Sequence, residues 1–178
     1  MAARTIGAST LTMNMDHSSV KKGESLFDTV KNLEALGIDA IIMRHPNGGA
    51  PHFVADIASV PVINAGDGYN EHPTQGLLDI FTMREAAKGN LKGKKVLIVG
   101  DIRHSRVAKS NIWGLTKLGA EVYVCGPSTL IPSGIEEMGA NVGHSLDELI
   151  PEMDFMNILR VQFERQDMGY FPSVREYR

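Results

Sequence analysis

The run Lys95 to Gly100, KVLIVG, constrains the fold more than any other stretch. It is a short, continuous apolar segment closed by a glycine, the pattern of a buried strand, and a helical pattern from Ser105 to Leu118 follows it directly. The alternation continues with a strand at Glu121 to Cys125, a Pro-rich turn and a short helix near Gly134 to Met138. A strand at Asn141 to Gly143, one helical turn at Leu146 to Ile150 and a strand at Asp154 to Leu159 come next, and Pro172 to Tyr177 opens another helix. Strands separated by helices need crossover connections, so the fold class is α/β with parallel sheets.

The preceding half has the same grammar. Met1 to Ile6 reads as the end of a helix stopped by Gly7, Thr10 to Asn14 as a short strand, and Asp16 to Glu24 as a polar loop. Ser25, with Asp28 three residues on, has the form of a capping box opening a helix to about Leu36, with Leu26, Val30, Leu33 and Leu36 on one face. Strands are expected at Asp39 to Met43 and Val60 to Ala65, with a helix at Pro51 to Ala58 between them. His72-Pro73-Thr74-Gln75 then opens an amphipathic helix to about Ala87, because proline fits the first helical position, which needs no N–H. The polar, glycine-bearing segment Lys88 to Lys94 divides the chain into two α/β halves, residues 1–87 and 88–178.

Composition narrows the function. The 18 Lys and Arg against 21 Asp and Glu, net charge −3, argue against a nucleic-acid surface, so any cationic site has to be local. Cys125 is the only cysteine; it leaves no internal disulfide and fits a small buried strand residue in a reducing compartment. No apolar run approaches the roughly 18 residues of a membrane span and no signal-peptide pattern opens the chain, so a cytoplasmic protein without membrane contact is expected. The histidines lack metal-ligand spacing, KVLIVGDIRHSR lacks the G-x-G-x-x-G fingerprint, and G-x-x-x-x-G-K-[ST] and G-x-S-x-G are absent. Neither a metal nor a cofactor is expected.

The positions of the cations carry the functional argument. Arg44, His72, Arg106 and Arg160 each follow a predicted strand, and the carboxyl ends of parallel strands are where open α/β sheets bind ligands. Any one arginine there reads first as a surface ion pair, and a lone His72 reads first as a helix cap. Four in matching positions on a chain of negative net charge point to an anion held in a cleft between the halves. At the positive end of a helix dipole the neutral form of His72 is favoured, and a neutral ring can donate a hydrogen bond to a substrate oxygen.

With these residues in view, the segments SSVKKGESLFDTV, MRHP, NAGDGYNEHPTQ, GDIRHSRVAKSNIWGLTKLGAEV and ILRVQFER closely resemble, in order, the motifs of the aspartate carbamoyltransferase catalytic-chain family. The RVQxER pattern is similar to the aspartate enzymes rather than to the ornithine enzymes of the same fold. The resemblance implies two parallel-sheet α/β domains with the active site in the cleft between them. Residues 1–87 would be part of a carbamoyl-phosphate-binding domain and residues 88–178 part of an aspartate-binding domain. It implies transfer of the carbamoyl group from carbamoyl phosphate to L-aspartate, in pyrimidine biosynthesis, by a homotrimer with shared active sites. Arg44 and His72 would contact the carbamoyl oxygen and phosphate and Gln75 the carbamoyl amide. Arg106, Arg160 and Gln162 would hold the aspartate carboxylates, and Ser18 and Lys22 would reach into a neighbouring subunit.

The family's Ser-Thr-Arg-Thr phosphate loop is expected just before Met1 and its proline-leucine loop just after Arg178, which makes the chain resemble an internal portion of a longer protein with apolar surface left exposed. A regulatory chain or a dihydroorotase partner would be further associations. Two other readings stand beside this one. The chain could serve a carbamoyltransferase with another amine acceptor, or a catalytically silent structural subunit of a pyrimidine-enzyme complex.

Overall fold

The computed structural model describes residues 2–13 and 25–160. Two compact units are distinguished, Met1–Ile41 with His52–Val62 and Ile42–Pro51 with Ile63–Arg178. The expected strand at Thr10 to Asn14 does not form over its described part, since residues 8–13 have no regular structure. A strand exists through its cross-strand hydrogen bonds, and this run has no strand partner among the described residues. The loop at Asp16 to Glu24 and the helix at Pro172 to Tyr177 lie outside the described residues.

In the first unit, helix α1 (Ala2–Thr5) ends where expected, with Gly7 at φ 79° and its N–H bonded to the Arg4 carbonyl at 3.0 Å. Helix α2 (Leu26–Ala35) is capped by Ser25, whose Oγ accepts from the Asp28 N–H at 3.1 Å. The Ser25 hydroxyl donates to Asp28 Oδ2 at 2.7 Å, so the acid closes on the cap's hydroxyl rather than on its backbone N–H. Thr29 and Val30 are buried, whereas Leu36 has left the helix and is exposed. Polar links tie α2 to the end of helix α3 (Ala50–Ile57): Lys31 Nζ donates to the Ile57 carbonyl at 2.7 Å, and Glu34 accepts from the hydroxyl and the backbone N–H of Ser59. The hydrogen bond from Lys31, followed by those from Ser59, holds the Glu34 carboxyl down at about 2.

The second unit contains the sheet that positions the site. Strands β1 (Ile41–His45) and β2 (Val62–Asp67) pair in a two-stranded sheet, and helix α4 (Pro73–Ala86) follows β2. Strand β3 (Lys95–Val99) then begins a parallel four-stranded sheet in the order β5-β4-β3-β6, where β4 is Glu121–Cys125, β5 Ala140–Gly143 and β6 Phe155–Ile158. Helix α5 (Arg106–Lys117) crosses from β3 to β4; the one-turn helix α6 (Leu146–Leu149) lies between β5 and β6.

KVLIVG is buried on both faces, as expected. Val96 and Ile98 pack with Ile112 and Leu115 of α5 and Ile80 and Met83 of α4, while Leu97 and Val99 pack on the other face with Cys125, Leu149 and Met153. Burial raises the Cys125 thiol pKa, in keeping with an inert core residue.

Small residues set the approach of α4 to α5. A Cβ at Gly76 would lie 3.0 Å from Ser110 Cβ, and one at Gly114 would lie against the Ile80 side chain. The expected single apolar face of α4 is not what is seen. Gly76, Ile80 and Met83 are buried, but Leu77, Leu78 and Phe81 are 66%, 55% and 59% exposed. Among the described residues no helix is long and apolar enough to cross a membrane.

The crossing makes a prediction. Gly76→Val places a branched side chain where a Cβ alone is already tight, and overpacking of this kind costs about 1–3 kcal/mol. The thermal midpoint should fall by several degrees, at about 2–4 °C per kcal/mol for a domain of this size. An unchanged midpoint in a calorimetric scan would refute the close contact.

Candidate functional site

Strand β3 lies between β4 and β6, so the chain leaves it first towards one side and later returns on the other. The carboxyl ends of β3 and β6 therefore border the topological switch point, the usual ligand position in such sheets. The Leu159 N–H donates to the Val99 carbonyl at 2.8 Å, which extends the pairing and sets Arg160 beside the turn that follows Gly100. That turn is pinned by buried Asp101, whose Oδ1 lies 3.2 Å from the His104 backbone N and 2.9 Å from His104 Nδ1. The His104 ring meets Tyr69 edge to face at 5.9 Å.

Helix α5 starts at Ser105, whose Oγ accepts from the Ala108 N–H at 3.1 Å, and this cap places Arg106 at the first helical position. Arg106 is 6% exposed. Its Nη1 donates to the Gly68 carbonyl at 3.2 Å, and Lys109, one turn on, donates to the Tyr69 carbonyl at 2.9 Å. Gly66 is at φ 118°, and a Cβ there would lie 2.9 Å from the Arg106 guanidinium carbon, so the absence of a side chain is what lets the cation lie against β2.

The loops after β1 and β2 are built around one carboxylate. Asp67 is fully buried; Oδ1 accepts from Asn64 Nδ2 at 2.9 Å and the Glu71 N–H at 3.1 Å, and Oδ2 from the Gly49 N–H at 2.7 Å and Asn70 Nδ2 at 3.0 Å. Burial pushes its pKa upward, but the hydrogen bonds outweigh burial and hold it below the usual carboxylate value. Gly68 completes the junction. Its N–H donates to the His45 carbonyl at 2.9 Å, and a Cβ on it would lie 2.6 Å from the Pro46 carbonyl oxygen.

Arg44 differs in position from the sequence expectation, for it lies within β1 rather than after it. In a two-stranded sheet alternate side chains face outward, and Arg44 occupies an exposed position of β1, so its charge does not end the strand. Arg44 and Arg106 line the same cavity of ≈ 430 Å³, together with His45, Pro46, Gly68 and Tyr69. His45 Nδ1 accepts from the Asn47 N–H at 3.0 Å, which leaves the proton of a neutral ring on Nε2.

His72 occupies the cap position of α4, but its side chain makes no capping hydrogen bond. Its backbone N–H donates to Ser110 Oγ at 2.9 Å, and its Nδ1 lies 3.2 Å from the Thr74 hydroxyl. Burial, then Arg106 and Arg44, lower its pKa from 6.5, with Asp79 acting in the opposite sense. The ring is therefore neutral near pH 7. Gln75 lies on the first turn of α4 and donates from Nε2 to Asp79 at 2.8 Å. Ser18, Lys22 and Gln162 lie outside the described residues.

Sequence reasoning named Arg44, His72, Gln75, Arg106 and Arg160 but missed His45, Asp67, Tyr69, Asp79 and Lys109. Asp67 and Tyr69 stand within NAGDGYNEHPTQ, where a buried-type Asp-Gly pair before a helix start was the available signal. Two of the three partners of Asp79, and the partner of Lys109, are brought to them by packing.

The carbamoyl-P binding domain of the aspartate/ornithine carbamoyltransferase family matches residues 1–85. The aspartate carbamoyltransferase catalytic subunit of Ruminiclostridium cellulolyticum is 56% identical over 99% of this chain and 56% of its own length. That of Desulforamulus reducens is 55% identical over the same shares. The chain thus spans about half the length of the curated relatives it matches. Among solved structures, aspartate transcarbamoylase from Trypanosoma cruzi in complex with aspartate and phosphate superimposes with a TM-score of 0.81 at 30% identity, over 93% of this chain and 57% of that one. The catalytic subunit of M. jannaschii aspartate transcarbamoylase gives 0.80 at 34% identity, over 99% and 58%. Motifs, sheet order and relatives converge: residues 1–85 match the carbamoyl-P binding domain of the aspartate/ornithine carbamoyltransferase family, and over nearly its whole length the chain is similar to aspartate carbamoyltransferase catalytic subunits.

Proposed function

We propose that the protein carrying this chain transfers the carbamoyl group of carbamoyl phosphate to the amine of L-aspartate, giving N-carbamoyl-L-aspartate and phosphate for pyrimidine biosynthesis. The observation that supports this best is that two guanidiniums, Arg44 and Arg106, line one cavity and both act on a neutral His72. As the amine attacks the carbamoyl carbon, the new C–N bond forms and negative charge builds on the carbamoyl oxygen. Arg44 and His72 are the donors for that charge; a Thr74 hydroxyl donating to Nδ1 leaves the imidazole proton on Nε2, free to point at substrate. Loss of one such donor costs about 10²–10³ in rate. The C–O bond to phosphate then breaks, and the departing phosphate takes the proton released by the amine. Holding two substrates side by side supplies much of the remaining acceleration.

In this reading Gln75 binds the carbamoyl amide, Arg106, Arg160 and Gln162 bind the aspartate carboxylates, and Ser18 and Lys22 serve a neighbouring subunit of a cytoplasmic homotrimer. Residues 1–87 then belong to the carbamoyl-phosphate domain and residues 88–178 to the aspartate domain. The test is an assay of the full-length gene product with carbamoyl phosphate and L-aspartate. N-carbamoyl-L-aspartate is the expected product; well-folded protein that forms none would refute the proposal, and product with another amine instead would reassign the acceptor.

Two further outcomes are expected of the same protein. Arg160→Ala should raise the KM for aspartate roughly 10- to 150-fold, the equivalent of about 1.5–3 kcal/mol for a charge-assisted hydrogen bond, with a far smaller change for carbamoyl phosphate. Equal losses for both substrates would contradict the assignment. The imidazole of His72, followed by NMR in the unliganded protein, should titrate below 6.5. The sign follows from linkage: the unfolded ring takes its proton first as pH falls, so stability declines below about pH 6.5 and is unaffected above it. A midpoint above 6.5 would exclude the neutral donor.

A further inference from the structure

Asp79 is one helical turn beyond Gln75 on α4, and three amide groups from three elements converge on its carboxylate. Oδ1 accepts from Gln75 Nε2 at 2.8 Å, and Oδ2 accepts from Asn111 Nδ2 of α5 at 2.8 Å and Asn157 Nδ2 of β6 at 3.2 Å. Asn111 is fully buried, and its Oδ1 has no hydrogen-bond partner. A buried orphan acceptor is costly, so the Asn111 amide is held in this orientation by what its nitrogen gains from Asp79. The carboxylate is therefore anchored from α5 and β6 and cannot turn freely to follow Gln75.

A carboxylate accepts hydrogen bonds and donates none. Whatever faces Asp79 from Gln75 must be the NH₂ end of the carboxamide, and the Oε1 end must point away. An unrestrained glutamine could present either end to a ligand. We propose that Asp79 is a positioning residue that fixes the Gln75 carboxamide with its oxygen outward, so that the site reads the NH₂ of a carbamoyl group and discriminates against acyl phosphates that carry a methyl group there. This rests on the carbamoyl-transfer reading above and extends it from which residue meets the amide to what makes that residue selective. A site built to accept from a substrate N–H rejects an analogue lacking it, because its buried acceptor is then left unpaired.

The experiment compares carbamoyl phosphate with acetyl phosphate as donors to L-aspartate, using the full-length protein, and reads the ratio of their kcat/KM values. In Asp79→Ala the ratio should fall about tenfold or more, through loss of carbamoyl phosphate use, with the KM for aspartate changed by no more than about twofold. Asp79→Leu, which fills the space without an acceptor, should do the same and serves if the alanine variant does not fold. Asp79→Glu, which restores an acceptor, should recover most of the ratio. Asn111→Ala removes one of the two anchors but keeps Asn157 and the Asp79 to Gln75 hydrogen bond, so its ratio should fall far less than in Asp79→Ala. An unchanged ratio in the folded Asp79→Ala or Asp79→Leu variant would overturn the proposal, and so would an equal fall in Asn111→Ala, which would make the effect one of packing. Failure of the unaltered protein to make N-carbamoyl-L-aspartate would instead strike the functional reading itself.

Discussion

Everything at the candidate site leans on the buried Asp67 carboxylate. Its four hydrogen bonds join the last residue of β2 to the turn at Gly49, to Asn64 within the strand, and to Asn70 and Glu71 just before α4. Without that charge four donors would face one another across a junction closed to water, and a buried donor left unpaired costs about 1–3 kcal/mol. Because hydrogen bonds to the ionised form lower the Asp67 pKa, the stabilisation is complete above the ordinary carboxylate value of 3.8 and is lost as pH falls through the lower folded value. The close approach of Gly68 to Pro46 belongs to the same junction, since a Cβ on Gly68 would meet the Pro46 carbonyl oxygen and force the loops apart.

From this junction the order passes outward by backbone contacts. Arg106 and Lys109 hold the carbonyls of Gly68 and Tyr69, and Ser110 holds the N–H of His72, so one face of α5 grips the segment that carries the ring. The grip depends on Gly76 and Gly114, which let the two helices approach. Small residues at the crossing thus help to set where the imidazole lies. The start of α4 is fixed by Pro73 and by Ser110, which leaves the His72 side chain uncommitted to the cap.

How much of this could be read from sequence follows from the range of each interaction. The run KVLIVG, the capping box at Ser25 and the stop at Gly7 are local, and they mark β3, the start of α2 and the end of α1 to within a residue or two. The strand at Thr10 to Asn14 failed because residue type proposes a strand and only a partner makes one. Arg44 lies within β1 and not after it because an exposed position of a two-stranded sheet accommodates a charge. The hubs were illegible for a different reason. Asp79 meets Asn111 and Asn157, 32 and 78 residues away, and no periodicity encodes such a meeting.

The division of labour among charges explains how a chain of net charge −3 keeps a cationic site. Among the described residues, the hydrogen bonds to Asp67 and Asp79 come from amides: two backbone N–H groups and the side chains of Asn64, Asn70, Gln75, Asn111 and Asn157. These acids order the loops and helices through amides, while burial first, and then the fields of Arg106 and Arg44, lower the His72 pKa. Had the same carboxylates been paired with those guanidiniums, the loops could have been as rigid, but the positive field that adds to burial in lowering the His72 pKa would have been weakened. Amide-satisfied acids therefore separate the structural use of negative charge from the positive field at His72, within a single compact unit.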